Sequence, residues 1–320
     1  MRMLDPVLVV HCPRDETPFG ERISEEMLSA IGNALDEQGR RSKVIPYSAL
    51  HDNPGNCVRG NLVFNLAYGW IDPRGWRRFD QPEVARRLRS AGALLIGSEP
   101  DALERAQDKL ACAEVLAHHG IAIPHMLGSK EFAGDFVVRK PRFGACHRGV
   151  TIMGVSDALA LPISPGFLLQ EYVSGPEYTV GVVDGRALPA MRVIVGDASG
   201  PTALGATPGD VRLLTDADQP TGLDALAESI GPMLGLDDYY RIDIRMRGDV
   251  PVVLDVNALP NLGLERSFLP MIAEAAGWSY GYLIRAIVSS AERRWGAAVE
   301  STIPAVAGTC GSAIQKVTVA

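Results

Sequence analysis

The apolar positions of the chain change their period along its length, and the changes divide it. Val7-Leu8-Val9-Val10 is a continuous run between Pro6 and Pro13, the pattern of a short buried strand. From Glu21 to Gln38 the apolar residues Ile23, Met27, Ile31 and Leu35 recur every fourth position. That spacing predicts one face of a helix, with Gly39 standing where a C-cap belongs. Lys43 to Pro46, Leu62 to Phe64 and Leu94 to Ile96 are further strand candidates. Strands separated by helical patterns predict a parallel α/β sheet in residues 1–97.

A boundary follows Gly97. Ser98-Glu99-Pro100-Asp101 has the shape of a capping box, with Ser98 as the cap. The helix it starts carries Leu103, Ala106, Leu110 and Ala113 inward and ends near Gly120. After Pro124 short strands take over: Phe136 to Lys140, Gly149 to Met153, Phe167 to Tyr172, Glu177 to Val183 and Leu188 to Val195. A helix at Leu223 to Leu234 precedes two strands, Arg241 to Arg247 and Val252 to Asn257. Helices from about Phe268 to Ala276 and from Tyr280 to Trp295 close the pattern. Gly296 to Ala320 reads as a loosely packed tail of small residues. There is no internal repeat.

Composition narrows the class. The 320 residues are 47% hydrophobic and 22% charged, enough for two or three units with real cores. A net charge of −7 gives no general attraction to nucleic acid or to an anionic membrane. No stretch approaches the ~20 apolar residues of a membrane span, and Pro13 to Glu16 interrupt the first strand too early for a signal peptide. Cys12, Cys57, Cys112, Cys146 and Cys310 are odd in number and hold no CxxC pair. A reducing cytoplasm fits them better than a disulfide framework or a zinc site. The segment after the first strand, His11-Cys12-Pro13-Arg14-Asp15, lacks the glycines of a dinucleotide fingerprint. A P-loop, a G-x-S-x-G elbow and an H-E-x-x-H pair are also missing.

The most informative segment runs from Arg241 to Asn257. Its first strand alternates strictly, with Ile242, Ile244 and Met246 on one face and Arg241, Asp243 and Arg245 on the other. The second places Val252, Leu254 and Val256 on one face and Val253, Asp255 and Asn257 on the other. A symmetric turn at Gly248-Asp249-Val250 makes an antiparallel hairpin in which Asp243 faces Asp255 and Arg241 faces Asn257. Facing carboxylates repel by a few tenths to ~1 kcal/mol, and a cation between them reverses the sign. Two carboxylates and an amide oxygen suit Mg²⁺ shared with phosphates. The same residues also fit the solvated polar face of an edge hairpin, with Arg245 and Arg247 balancing the acids.

Four segments in order decide between those readings. The hairpin resembles the magnesium hairpin of ATP-grasp enzymes, in the D-alanine–D-alanine ligase-like branch. Arg241-Ile242-Asp243 matches its Arg-x-Asp strand, and Asp255-Val256-Asn257 its Glu-x-Asn, with Asp for Glu. Upstream, Gln107-Asp108-Lys109 resembles a helix motif, and Val138-Arg139-Lys140-Pro141 a strand, whose lysines contact ATP phosphates. Arg142 to Gly149 stands in place of the phosphate loop. Leu169 to Val180 resembles the adenine hinge, Gln170, Glu171, Tyr172 and Val173, followed by the ribose-binding Glu177. The resemblance implies a fold of three units: residues 1–97, 98–180 and 181–320. The first is α/β with a parallel sheet, and the central one is α+β. It implies ATP, Mg²⁺ or Mn²⁺ in its place, and an acylphosphate attacked by an amine. Lys109, Lys140 and Gly149 would serve the phosphates. Asp243, Asp255 and Asn257 would hold the metal. Arg241, Gly263 and Ser267 would attend the reacting carboxyl. A homodimer is commonly part of the pattern.

The resemblance thins where substrates are chosen. Tyr68 replaces a histidine in Leu66-Ala67-Tyr68-Gly69, and Asn261 replaces the glycine after Pro260. Glu16 or Glu21 are the nearest matches to the acid that holds the amino group of the first D-alanine. Gly196 to Leu214, at the place of the closing lid, contains no lysine or tyrosine, and Arg212, Arg148 or His147 could replace the missing cation. These departures point to an amino acid or small acid other than D-alanine joined to D-alanine. The alternatives are D-alanine–D-alanine ligation, an intramolecular ring closure, and nucleotide binding without catalysis.

Overall fold

The computed structural model describes the chain apart from residues 1–5, 13–22, 51–53, 72–76, 145–148, 163, 196–210, 215–218, 265–266 and 303–320. Glu16, Glu21, Cys146, His147, Arg148, Cys310 and most of the lid segment lie outside the described residues.

The N-terminal third is a parallel sheet with helices. Its strands are β1 (Val7–His11), β2 (Ser42–Pro46), β3 (Leu62–Leu66) and, last in the chain, Leu94–Ile96, in the order β2, β1, β3, Leu94–Ile96. Val7 to Val10 are at most 2% exposed, as a run without alternation requires. Helix α1 (Glu25–Asp36) starts later than Glu21, because the Ser24 hydroxyl accepts the Met27 amide at 3.1 Å and caps it there. A short helix α2 (Pro54–Val58), a small antiparallel ribbon of β4 (Gly69–Ile71) and β5 (Arg77–Phe79), and helix α3 (Gln81–Ser90) lead to the fourth strand, β6.

The single helix expected over residues 98–120 is two. Helix α4 (Pro100–Gln107) ends at Asp108, whose backbone is extended at φ −79° and ψ 96°, and α5 (Lys109–His118) begins immediately. The Asp108 carboxylate supplies the new cap, accepting the amides of Leu110 and Ala111. Ser98 is not a cap. Its hydroxyl accepts the Asp237 amide at 3.1 Å, and Glu99 precedes α4 without a side-chain capping bond.

A three-stranded antiparallel sheet follows, ordered β8 (Thr151–Gly154), β7 (Phe136–Pro141), β9 (Phe167–Glu171), with the short α6 (Val155–Leu159) beside it. The larger C-terminal sheet orders β13 (Val211–Leu214), β12 (Met191–Val195), β10 (Glu177–Val183), β14 (Tyr239–Arg247) and β15 (Val250–Asn257), with β11 (Arg186–Ala187) paired to β10. The strand expected over Leu188 to Val195 is thus shorter, and a turn at Asp184, with φ 54°, and Gly185 gives β11 its own pairing. Helix α7 (Leu223–Leu234) has the expected bounds, and α8 (Phe268–Ala275) follows β15. Helix α9 (Tyr280–Thr302) continues past Trp295, so the first residues of the expected tail are helical. Gly175 lets β9 turn into β10: a Cβ there would stand 1.9 Å from the Met246 carbonyl oxygen. One apolar core runs through the parallel sheet, the C-terminal sheet and the helices between them. The expected α/β architecture, with an N-terminal parallel sheet and a mixed remainder, is the one observed.

Candidate active site

Strand β14 keeps its predicted alternation. Ile242, Ile244 and Met246 are buried at 0%, 0% and 4% exposure, which turns Arg241, Asp243 and Arg245 to the opposite face. Strand β15 reaches its expected partners by a different route. The turn has two residues, Gly248 and Asp249, between the paired Arg247 and Val250, and Gly248 takes the positive φ (59°) of a tight hairpin. One extra residue then enters β15 as a bulge: Ile244 pairs with Val253, but Asp243 pairs with Asp255. The shorter turn and the bulge offset each other, so Asp243 faces Asp255 and Arg241 faces Asn257. The face assigned to Val253 is corrected by the same bulge. It packs into the core at 3% exposure, opposite Ile244 and away from Asp255. The bulged Leu254 offers its carbonyl to Lys140 Nζ at 3.0 Å.

The two acids differ in surroundings. Asp243 accepts Arg241 Nε and Nη2 at 3.0 and 2.9 Å, the Thr179 hydroxyl at 2.8 Å and the Asn257 amide at 3.1 Å. Asp255 is 36% exposed, with Lys109 Nζ 4.0 Å from its Oδ1. Burial works against the Arg241 charge, but the carboxylates of Asp243, Asp255 and Glu177 more than offset it and raise its pKa. Among the described residues no three His, Cys, Asp or Glu side chains gather as a metal site. The set here is two carboxylates and an amide, which could hold a cation only together with ligand oxygens.

The lysines arrive from separate elements. Lys109 opens α5, where Asp108 caps the helix, and its Nζ donates to Gly144 O at 2.8 Å. Arg142 grips the capping acid through Nε and Nη2 at 2.7 and 2.6 Å, and its carbonyl accepts the Lys109 amide. The Arg142 hydrogen bonds hold the Asp108 carboxyl below its usual range. Lys140, near the end of β7, is pulled below the usual lysine range by burial, with Lys109 adding to the pull and Asp255 opposing it. Burial pushes the nearby Cys112 thiol up to about 12, which leaves it no nucleophilic role at neutral pH.

The hinge is built on β9. Gln170 is 3% exposed, and the Glu171 carboxylate is turned to Arg247 and to His125 Nδ1, the latter at 2.8 Å. Arg245 lies opposite Glu177 across β14 and β10 and donates to it at 2.8 Å. All these pieces meet in one cleft of about 300 Å³, whose walls include Lys109, Lys140, Gln170, Glu171, Tyr172, Val173, Glu177, Arg241, Asp243, Asp255 and Asn257. Gly149, Gly263 and Ser267 are not on its walls. The Gly263 amide is taken by Asn261 Oδ1 at 2.8 Å, and Ser267 stands buried at the start of α8. Tyr68, Gln81 and Asn261 line the cleft as well. Arg245 and Thr179 are additions to the residues expected. The alternation placed Arg245 beside Asp243, where it reads equally as a balancing charge.

Comparison with known proteins identifies the family. Residues 106–261 match the model of the ATP-grasp domain. The D-alanine–D-alanine ligase of Syntrophotalea carbinolica is 30% identical over 215 residues, 62% of this chain and 70% of that protein. The chain belongs to the ATP-grasp family, in its D-alanine–D-alanine ligase-like branch. The D-alanine–D-alanine ligase of Synechococcus sp. strain JA-3-3Ab is 27% identical over 310 residues, covering 86% of this chain and 92% of that one. In fold, this ATP-grasp ligase resembles the crystal structure of the Bacillus anthracis D-alanine–D-alanine ligase complexed with ATP. The TM-score is 0.66 at 18% identity, over 91% of this chain and 99% of that one. The Coxiella burnetii D-alanine–D-alanine ligase gives 0.66 at 15% identity, over 92% and 97%. No helix among the described residues is long and apolar enough to cross a membrane.

Proposed function

We propose that this ligase uses ATP to activate a small, amino-acid-like carboxylic acid as an acylphosphate and joins it to an amine, on a substrate pair other than D-alanine with D-alanine. The observation that carries the reading is the convergence of Lys109, Lys140, Asp243, Asp255 and Asn257, from four separate elements, on one cleft. Phosphoryl transfer asks mainly for positioning and for neutralised charge. Lys109 and Lys140 bind the phosphate oxygens as fixed cations. Gln170 to Val173 receive the adenine, and Glu177 the ribose. Arg241 orients the reacting carboxyl and stabilises charge as it develops there.

The donor set fits a hard divalent cation. Asp255 is open to the cleft, and Asn257 can turn its amide oxygen toward it by releasing the hydrogen bond to Asp243. Bound Mg²⁺ would supply charge neutralisation at the phosphates. Gly263 and Ser267 stand beside Asn261 of the cleft wall and would attend the reacting carboxyl from there.

Two observations support a changed substrate: Tyr68 on the cleft wall, and Asn261 engaging the amide of Gly263. The second reading, D-alanine–D-alanine ligation, is favoured by the names of the relatives. ADP release from purified enzyme, ATP and Mg²⁺ over a panel of amino acids, with product masses, separates the two. Turnover with D-alanine alone at an ordinary enzymatic rate establishes the second reading.

A further inference from the structure

We propose that Arg245 is a positioning residue that sets nucleotide selectivity, by holding Glu177 and the hinge carbonyl of Val173 in one fixed arrangement. The inference rests on the reading of the cleft as an ATP site. It concerns a residue that reading does not need.

Arg245 is 8% exposed, deep for a guanidinium. Its three nitrogens are divided between two elements of the cleft wall. Nε and Nη2 both lie 2.8 Å from Glu177 Oε2, and Nη1 donates to Val173 O at 3.0 Å. Its guanidinium carbon is also 5.2 Å from the centroid of the Tyr172 ring. Tyr172, Val173, Glu177 and Arg245 all line the cleft. The side chain therefore links the wall that would meet the base to the acid that would meet the sugar.

The division of donors has a consequence for the sugar. Both contacts to Glu177 fall on Oε2, so Oε1 is the oxygen left to accept a ribose hydroxyl. A carboxylate held by one oxygen presents the other in a defined direction. Lysine has one nitrogen on a flexible stem and could not hold both partners in a planar fork. A buried ion pair is weak evidence of a stabilising role, since an apolar pair of like volume often does as well. Selectivity supplies a reason for it here.

The test compares kcat/KM for ATP and for 2′-deoxy-ATP within each variant, so a general loss of activity cancels. The wild type should prefer ATP by about tenfold, the effect of one hydrogen bond to a charged group. Glu177→Gln and Arg245→Met should each remove most of that preference, and the double variant should lose no more than either alone. Retained preference in Arg245→Met, or losses that add in the double variant, would overturn the proposal. Should Arg245→Met not fold, Arg245→Lys serves in its place: an intermediate preference supports the proposal, and an unchanged one overturns it. Failure of the wild type to bind ATP would sink the nucleotide-site reading beneath it, whereas bound ATP with an unmoved ratio sinks the inference alone.

Discussion

Asp238 and Asp243 sit five residues apart, one just before β14 and one in its middle, and each anchors an ionic cluster. Asp238 takes a strained φ of 55°, and its side chain is 1% exposed. It accepts the Gly97 amide at 2.8 Å, the Ser290 hydroxyl at 2.9 Å and Arg294 Nη2 at 2.6 Å. Those partners come from the end of β6 and from α9, so the cluster ties the N-terminal sheet to the C-terminal sheet. Asp243 is equally well hydrogen-bonded, but its neighbours face the cleft, and the acid opposite it is one-third exposed. A sealed cluster works for the fold. An open one sets like charges face to face, offset in part by Arg241 and Lys109, and leaves the exposed acid free to meet a ligand.

The largest expected effect tests the open cluster. Asp255→Ala should lower turnover by at least about 10³-fold, ~4 kcal/mol of transition-state stabilisation, as loss of a charge-neutralising group does. Its melting temperature should stay close to that of the wild type, since the Asp255 side chain is partly exposed and faces both an acid and Lys109. Steady-state kinetics with a thermal melt decide it, and retained turnover would end the metal assignment. The sealed cluster should respond the other way. Asp238→Ala takes the main partner from the partly buried Arg294 and leaves the Gly97 amide and the Ser290 hydroxyl without their acceptor, and should lower the unfolding free energy by about 2–3 kcal/mol, read by denaturant titration. ATP affinity of the folded protein should stay within about threefold of the wild type.

The contrast was only half legible in the amino-acid order. Period-2 alternation exposes Arg241, Asp243 and Arg245 as one face, because the intervening isoleucines and methionine leave no other reading. The bulge at Leu254 was not legible. Val252, Val253 and Leu254 are all apolar, so nothing marks which of them is extra, and the facing of the acids was reached through a turn of the wrong length. The break at Asp108 was hidden for a similar reason: Leu103, Ala106, Leu110 and Ala113 keep helical spacing across it, and the decisive partner, Arg142, is 34 positions away. Asp238 is harder still, since Ser290 and Arg294 lie 52 and 56 positions downstream. Local pattern names the strands and helices. It does not say which charges a distant side chain will seal.

Lys140 offers a smaller test of the open site. Burial lowers its pKa, so its proton is lost at a lower pH than an ordinary lysine's. ATP phosphates favour the charged form. Affinity should therefore be full at neutral pH and weaken as pH rises through the lowered pKa, by about tenfold for loss of one charged hydrogen bond. Calorimetric titration of ATP from pH 7 upward should show the decline beginning below 10.5, the ordinary value for lysine. Lys140→Arg, which keeps its proton throughout, should flatten it. The same decline in both proteins would assign the titration to another group.

The smallest effect belongs to Asp108, which is both a helix cap and a partner of Arg142. Asp108→Asn keeps an oxygen for the amides of Leu110 and Ala111 but gives up the charge facing Arg142, so the two roles separate. Arg142 is partly exposed, at 30%, so the ion pair should contribute little to stability. Asp108→Ala loses the cap as well and should cost about 1 kcal/mol more. The Asp108 pKa is lowered in the fold, so the charge contribution is present above the unfolded value of 3.8 and is lost as pH falls through the lower folded one. Between pH 5 and 8 the difference between wild type and Asp108→Asn should therefore be flat. Function should follow the loop more than the helix. The Lys109 amide bonds the Arg142 carbonyl and its Nζ bonds Gly144, so loosening Arg142 should raise KM for ATP about threefold in both variants. Equal KM changes with unequal stability losses would assign Arg142 to the phosphate end of the cleft and the cap to the fold. A KM that tracks stability would make the pair purely structural.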